Sequence, residues 1–253
     1  LVILFRVVAN FVLSVSLHLH TNSTTNVLCG IDSGNRYDKS PHPNRTDTQT
    51  GATQVKTMPD TIRLYYGRNS DEMVHRILQY QCTDPDNPIG LLEVRETVLD
   101  EVVMEAIVQL IQSRGVDTVQ FDDCGAYESC FSLQIAQALG SVPNVRLTAP
   151  TFLSHYFLDT MLVSATKLTN LRIQDHFDCR QIEALAKGLK GNTTLQVLDL
   201  SRSTIDSLAI LADGLQENKT LHVLKLRSLG LDDETMPILL DSIKNHPQLE
   251  ELD

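Results

Sequence analysis

Apolar residues recur along this chain in two alternating rhythms. Leu195, Leu198 and Leu200 follow the spacing L-x-x-L-x-L, and Leu221, Leu224 and Leu226 follow it again. Between the triplets lie Leu208, Leu211, Ala212 and Leu215, whose steps match the period of one helical face. The pattern predicts a short strand, a helix, and then the same pair once more. Counterparts of Leu198 stand at Leu92, Val119, Val145, Leu171, Leu224 and Leu252, a nearly constant interval within the range of known repeat lengths. Full triplets come with them at Ile89, Leu92, Val94; at Val116, Val119, Phe121; at Val142, Val145, Leu147; and at Leu168, Leu171, Ile173, while the last is cut to Leu249 and Leu252. Helical sets recur at Val103, Ala106, Ile107, Leu110, at Ile182, Leu185, Ala186, Leu189, and at Met236, Leu239, Leu240, Ile243. Between Val116 and Lys167 the triplets persist but the helical pattern fades.

Upstream, TIRLYYG from Thr61 predicts a first strand, and Ser70 with Asp71 and Glu72 predicts a helix start. Met73, Val74, Ile77 and Leu78 are its inner face, and Leu64, one repeat length before Leu92, marks a degenerate first unit. Residues 82 to 88, with two prolines, are expected to loop back into the array. The repeat domain is therefore assigned to residues 61 to 253. Residues 18 to 60 are rich in Thr, Asn, Ser, Asp and Pro and bury too little apolar surface to offset ordering entropy, which predicts a disordered polar linker. Residues 1 to 17 are apolar but interrupted by Arg6 and Asn10. They read either as a signal or membrane-anchor remnant or as a stray apolar segment. The chain opens on Leu1 rather than Met and stops inside a repeat, so a fragment at both ends is expected, its repeat domain truncated at the C-terminus.

One strand-and-helix unit has apolar residues on one side and nothing to bury them against. Stacking units in a row closes the core between neighbours. Paired strands sit about 4.8 Å apart, whereas packed helices need roughly 8 to 10 Å between axes. The stack must then curve. The expected fold is an α/β solenoid, a curved horseshoe with parallel strands on the concave face and helices on the convex face.

The repeat length, a full helix in each unit, and Asn192 and Asn218 ahead of their triplets resemble the ribonuclease-inhibitor class of leucine-rich repeats. That class includes ribonuclease inhibitor, the repeat domains of NOD-like receptors and the Ran GTPase-activating protein. The resemblance covers residues 89 to 253 and implies the fold without naming a partner. The class usually carries Asn or Cys three positions after the triplet; here that slot holds Thr97, Cys124, Pro150, His176, Ser203 and Leu229, so Cys124 alone fits.

Candidate chemistry changes little. The 253 residues contain no tryptophan and carry a net charge of -11, which weighs against nucleic acid or an anionic membrane as the main partner. G-x-G-x-x-G, G-x-x-x-x-G-K, H-E-x-x-H and G-x-S-x-G are all missing from the sequence. His176 and Cys179 are spaced to share a metal, yet two ligands do not make a site. Asp122 and Asp123, as strand neighbours, are expected to point to opposite faces. Asp232, Asp233 and Glu234 suit a helix start. Five cysteines (Cys29, Cys82, Cys124, Cys130, Cys179) without a C-x-x-C pair read as free buried thiols rather than disulfides. Sequons begin at Asn22, Asn44, Asn192 and Asn218, and for the last two a left-handed helix cap is the expected role. No cofactor, metal or catalytic residue is expected.

The concave wall is what remains. The residue between the last two leucines of a triplet, and the one after it, point away from the core. The first row is Glu93, Gln120, Arg146, Arg172, Asp199, Lys225 and Asp253; the second is Arg95, Asp122, Thr148, Gln174, Ser201 and Arg227. A mixed-charge wall suits a protein partner better than a small-molecule substrate, and Glu93, Gln120, Asp122, Arg146, Arg172, Asp199, Lys225 and Arg227 are the candidate contacts. A solvated face with alternating charges explains the same rows. The expected function is a non-catalytic protein-interaction scaffold in the cytoplasm, or a secreted or anchored one if residues 1 to 17 are a signal. The alternative that the resemblance implies is a GTPase activator similar to the Ran-directed protein, engaging a GTPase through edge loops.

Overall fold

Alternation of Ile62 and Leu64 with Arg63 and Tyr65 sets the first strand, β1 (Asp60–Tyr65), in a computed structural model that describes residues 60–65, 70–81, 89–126, 129–231 and 233–253. The expectations for residues 1 to 17, and for the linker up to residue 59, lie outside the described residues, which all belong to the unit Val55–Asp253. Six triplets give the strands β2 (Ile89–Arg95), β4 (Val116–Asp122), β6 (Asn144–Thr148), β7 (Asn170–Gln174), β9 (Val197–Asp199) and β11 (Val223–Lys225). The cut triplet gives β12 (Glu251–Leu252). Four short strands, β3 (Val98–Leu99), β5 (Gly125–Ala126), β8 (His176–Phe177) and β10 (Thr204–Ile205), pair β3 with β5 and β8 with β10 beyond the main sheet. The other strands form one parallel sheet in chain order, β1-β2-β4-β6-β7-β9-β11-β12.

Seven described helices join the strands: α1 (Ser70–Gln81), α2 (Glu101–Arg114), α3 (Ser129–Leu139), α4 (His155–Val163), α5 (Cys179–Gly191), α6 (Leu208–Glu217) and α7 (Thr235–Ile243). Each packs on the next. Local sequence fixes several starts: Asp100 accepts the Val103 N–H at 3.0 Å, Ser154 accepts that of Phe157 at 3.2 Å, and Asp178 with Gln181 closes a capping box. The fold is thus mixed α/β, with its core between one parallel sheet and one layer of helices.

The triplets fill that core. Every residue of the six full triplets is at most 5 % exposed. In the second of the two faintly patterned units an aromatic residue before the helix adds to the core: the Phe152 ring meets Phe121 edge-on at 5.5 Å and Phe157 at 5.4 Å. The first unit is out of the expected phase. Ile62, not Leu64, pairs with Leu92, and Leu64 pairs with Val94, because the connection from β1 to β2 makes this unit longer than those that follow. The last unit also departs from expectation. Leu239 is buried, but Met236 and Leu240 of α7 and Leu252 of β12 are exposed, since α6 covers one side of α7 and no described helix covers the other.

Polar turns lock the units together. Asn192 and Asn218, 6 % and 1 % exposed, have extended backbones with φ of -76° and -68° rather than the expected left-handed cap. Their amides bond across units instead. Asn218 Nδ2 donates to Leu189 O at 2.6 Å, and Oδ1 accepts the N–H groups of Thr220 and Leu221; Asn192 does the same with Leu162 O, Thr194 and Leu195. His246 holds the corresponding place with Nδ1, which accepts the N–H groups of Gln248 and Leu249 at 3.3 and 3.0 Å. At the other end of the strands, Glu96, Asp123, Ala149, Arg202 and Ser228 have φ between 46° and 65°, each just past its triplet. That left-handed turn costs an L-residue roughly 1 kcal/mol. Four of the five N–H groups donate to the next unit's strand end, for example Ala149 to Gln174 O at 2.9 Å.

Asp175, in the same place, lacks the positive φ, and Ser203 repairs the gap. The Ser203 hydroxyl accepts the Asp175 N–H at 3.3 Å and donates to Ile173 O at 3.0 Å. Cys124 Sγ donates to Val94 O at 3.3 Å from the equivalent slot. Ser203 and Cys124 therefore make the same kind of bond back to the preceding unit from one slot. Burial pushes the Cys124 thiol up to about 11, backbone hydrogen bonds opposing.

Candidate functional site: the charged sheet face

Parallel pairing in register turns the alternation of each strand into rows. Arg63, Glu93, Gln120, Arg146, Arg172, Asp199 and Lys225 stand opposite one another across seven consecutive strands. The sequence places six of these; Arg63 joins because Ile62 occupies the triplet slot. Asp253, expected to end the row, lies just past β12. In the second row Tyr65, Arg95, Asp122, Thr148 and Gln174 are in register, whereas Ser201 and Arg227 fall beyond β9 and β11, which end at Asp199 and Lys225. Ser201 is buried, its N–H held by Asp199 Oδ1 at 3.0 Å.

Most of the charges in the rows neutralise one another. Glu93 is 6 % exposed rather than solvated, because Arg63 reaches it at 2.9 Å, Arg95 pairs with it from the other side, and the Tyr65 hydroxyl donates to it at 3.4 Å. Arg95 also meets Asp122 at 3.1 Å, and Gln120 Nε2 donates to the same carboxylate at 2.7 Å. Arg172 approaches Asp199 at 3.6 Å, Lys225 approaches Glu251 at 3.7 Å, and Arg227 pairs with Asp253. Arg146 is exposed, and among the described residues it makes no ion pair, although Arg172 stands directly across from it.

Two shallow recesses open on this face, of about 380 and 260 Å³. The first is lined by Arg95, Glu96, Gln120, Asp122, Asp123 and Thr148, and the second by Asn144, Asn170, Asp199 and Lys225 among others; Arg146 and Arg172 line both. Asp122 and Asp123 share the first recess. The expected opposition of faces fails because Asp123 has left the strand, with φ 49°. At the start of the strands an amide row runs alongside: Asn170 Nδ2 donates to Asn144 Oδ1, and Asn144 Nδ2 donates to Asp117 O at 3.1 Å.

The other expected chemistry is dispersed. His176 Nδ1 lies 2.7 Å from Thr204 Oγ1 and Nε2 3.8 Å from Asp206, while Cys179 opens α5, exposed rather than buried. Glu234 precedes α7 without a capping bond from its side chain, and Asp232 lies outside the described residues. Cys29, Cys82, Asn22 and Asn44 also fall outside them. Among the described residues no helix is long and apolar enough to cross a membrane. No family model and no curated protein matches this chain.

Proposed function

We propose that this chain is a leucine-rich-repeat solenoid of the ribonuclease-inhibitor class and that it serves as a non-catalytic scaffold, binding a protein partner through its sheet face. The observation that carries the reading is the row from Arg63 to Lys225, in register across seven strands. A laterally continuous polar surface with open recesses of a few hundred Å³ suits a protein surface, while a small ligand needs an enclosed, mostly apolar cleft. The unlike spacing of strands and helices gives such a stack its curvature, and the row then lines the concave wall.

A cytoplasmic location fits this reading. The Asn192 and Asn218 amides are buried and bonded, leaving no room for a glycan, and Cys179 is an exposed free thiol. Affinity capture from native lysate tests the function. The full chain is compared with Arg146→Glu/Arg172→Glu after far-ultraviolet circular dichroism has verified the variant's fold. A protein retained by the wild type and lost by the variant supports the scaffold; identical retention by both removes the sheet face from consideration.

A further inference from the structure

Five of the cations in or beside the two rows, Arg63, Arg95, Arg172, Lys225 and Arg227, are matched by a carboxylate of the chain itself. Among the described residues Arg146 is the exception. Its neighbours in register are neutral Gln120 and cationic Arg172. Two like charges directly opposite on adjacent strands are destabilising, and two acids of this face, Asp122 and Asp199, are already engaged. Asp122 is held by Arg95 and Gln120, and Asp199 spends Oδ1 on the Ser201 N–H and meets Arg172 at 3.6 Å. That last distance is longer than the 2.9 and 3.1 Å of the Arg63 and Arg95 pairs.

We propose, on the reading of this face as a partner surface, that Arg146 and Arg172 form a carboxylate-binding site whose occupant is an acidic side chain of the partner protein. Planar guanidinium groups bind carboxylates through paired hydrogen bonds. An Asp or Glu set between the two arginines removes their mutual repulsion and gains that pairing from both. The two recesses meet at this pair, so chain on either side of the acidic residue has room to lie along the face. Glu96 and Asp123 also line one of the two recesses. They repel an extended polyanion while leaving space for one or two carboxylates, which favours an isolated acidic residue over a nucleic acid or a long acidic tract.

The test uses the full chain, nitrogen-15 labelled, at low ionic strength, with the Arg146 and Arg172 Nε–Hε signals assigned by Arg146→Gln and Arg172→Gln. Three probes are titrated: the peptide acetyl-Gly-Asp-Glu-Gly-amide, its counterpart with two lysines, and inorganic phosphate. The acidic peptide is expected to move both signals saturably, the lysine peptide to move neither, and Arg146→Gln to weaken binding roughly tenfold, the loss of a charged hydrogen-bonding partner. An acidic peptide that leaves the two signals in place overturns the assignment, as does unchanged affinity in Arg146→Gln or equal binding of phosphate at the same concentration. The outcome is separable from the capture experiment. Capture that depends on the arginines, without peptide binding, leaves the partner surface standing and removes the carboxylate.

Discussion

Replacing Asn218 by alanine should strip one inter-unit lock and leave the rest of the chain in place. The side chain is 1 % exposed and makes three hydrogen bonds, to Leu189 O at 2.6 Å and from the N–H groups of Thr220 and Leu221 at 3.0 and 2.9 Å. Alanine leaves one carbonyl and two N–H groups without these partners. A lost bond costs about 1 kcal/mol on average, and a buried group left unsatisfied costs roughly 1 to 3 kcal/mol. Backbone relaxation and water entry at Thr220, which is half-buried, reduce the total. The expected loss is then about 3 to 4 kcal/mol. Equilibrium unfolding in urea, followed by far-ultraviolet circular dichroism, should show a midpoint lower by about 1.5 to 2 M for a slope near 2 kcal/mol/M. Lys219→Ala is the control. Lys219 is exposed, and its truncation should change stability by less than about 0.5 kcal/mol. If Asn218→Ala also falls within that margin, the amide is not a lock and the account of the turns is wrong.

His246, in the Asn218 place, should make stability fall in mild acid. Burial and then the neighbouring His222 lower its pKa from 6.5, so the unfolded chain takes up the proton first. The stability it contributes is complete above pH 6.5 and declines as pH drops through the folded value. His246→Asn keeps the acceptor for Gln248 and Leu249, and the thermal midpoint should lose less between pH 7.5 and 5.5 than in the wild type; equal losses refute the role. Gly214→Ala should destabilise by roughly 1 to 3 kcal/mol from overpacking despite the better helix propensity of alanine. The added Cβ comes within 2.6 Å of Ala186 Cα, where backbone must move, and thermal denaturation measures the change. In the native chain an alkylating reagent should label Cys179 quickly and Cys124 only on unfolding, as read by peptide mass mapping. Equal labelling of the two peptides contradicts the buried, hydrogen-bonded thiol.

What the sequence discloses and what it hides have physical causes. Triplets such as Leu195, Leu198 and Leu200 are visible because strand geometry admits nothing but apolar side chains there. The sheet-face row is legible for the same reason, since alternation alone assigns Arg146 and Arg172 to the far side. The phase of β1 is not, because Ile62 and Leu64 are equally apolar and register between strands is decided by the connection. Roles carried by hydrogen bonds are harder still. Asn192, Asn218 and His246 occupy one position and present an acceptor from two kinds of side chain, and Ser203 and Cys124 donate backward from one slot through a hydroxyl and a thiol. Gly188 and Gly214 have a readable signal in their recurrence at the repeat interval, each where a helix meets its predecessor too closely for a Cβ. The burial of Glu93 depends on Arg63 and Tyr65 of the neighbouring strand as well as Arg95 of its own, which no single strand reveals.

The most direct measurement is site-specific photo-crosslinking in cells. A benzophenone side chain replaces Thr148, in the recess beside Arg146, and in a second variant replaces Glu183 on the exposed side of α5. The sheet face predicts a crosslink to one protein from position 148, lost when Arg146 and Arg172 are also changed to Glu, and none from position 183. A crosslink from position 183 without one from position 148 contradicts it.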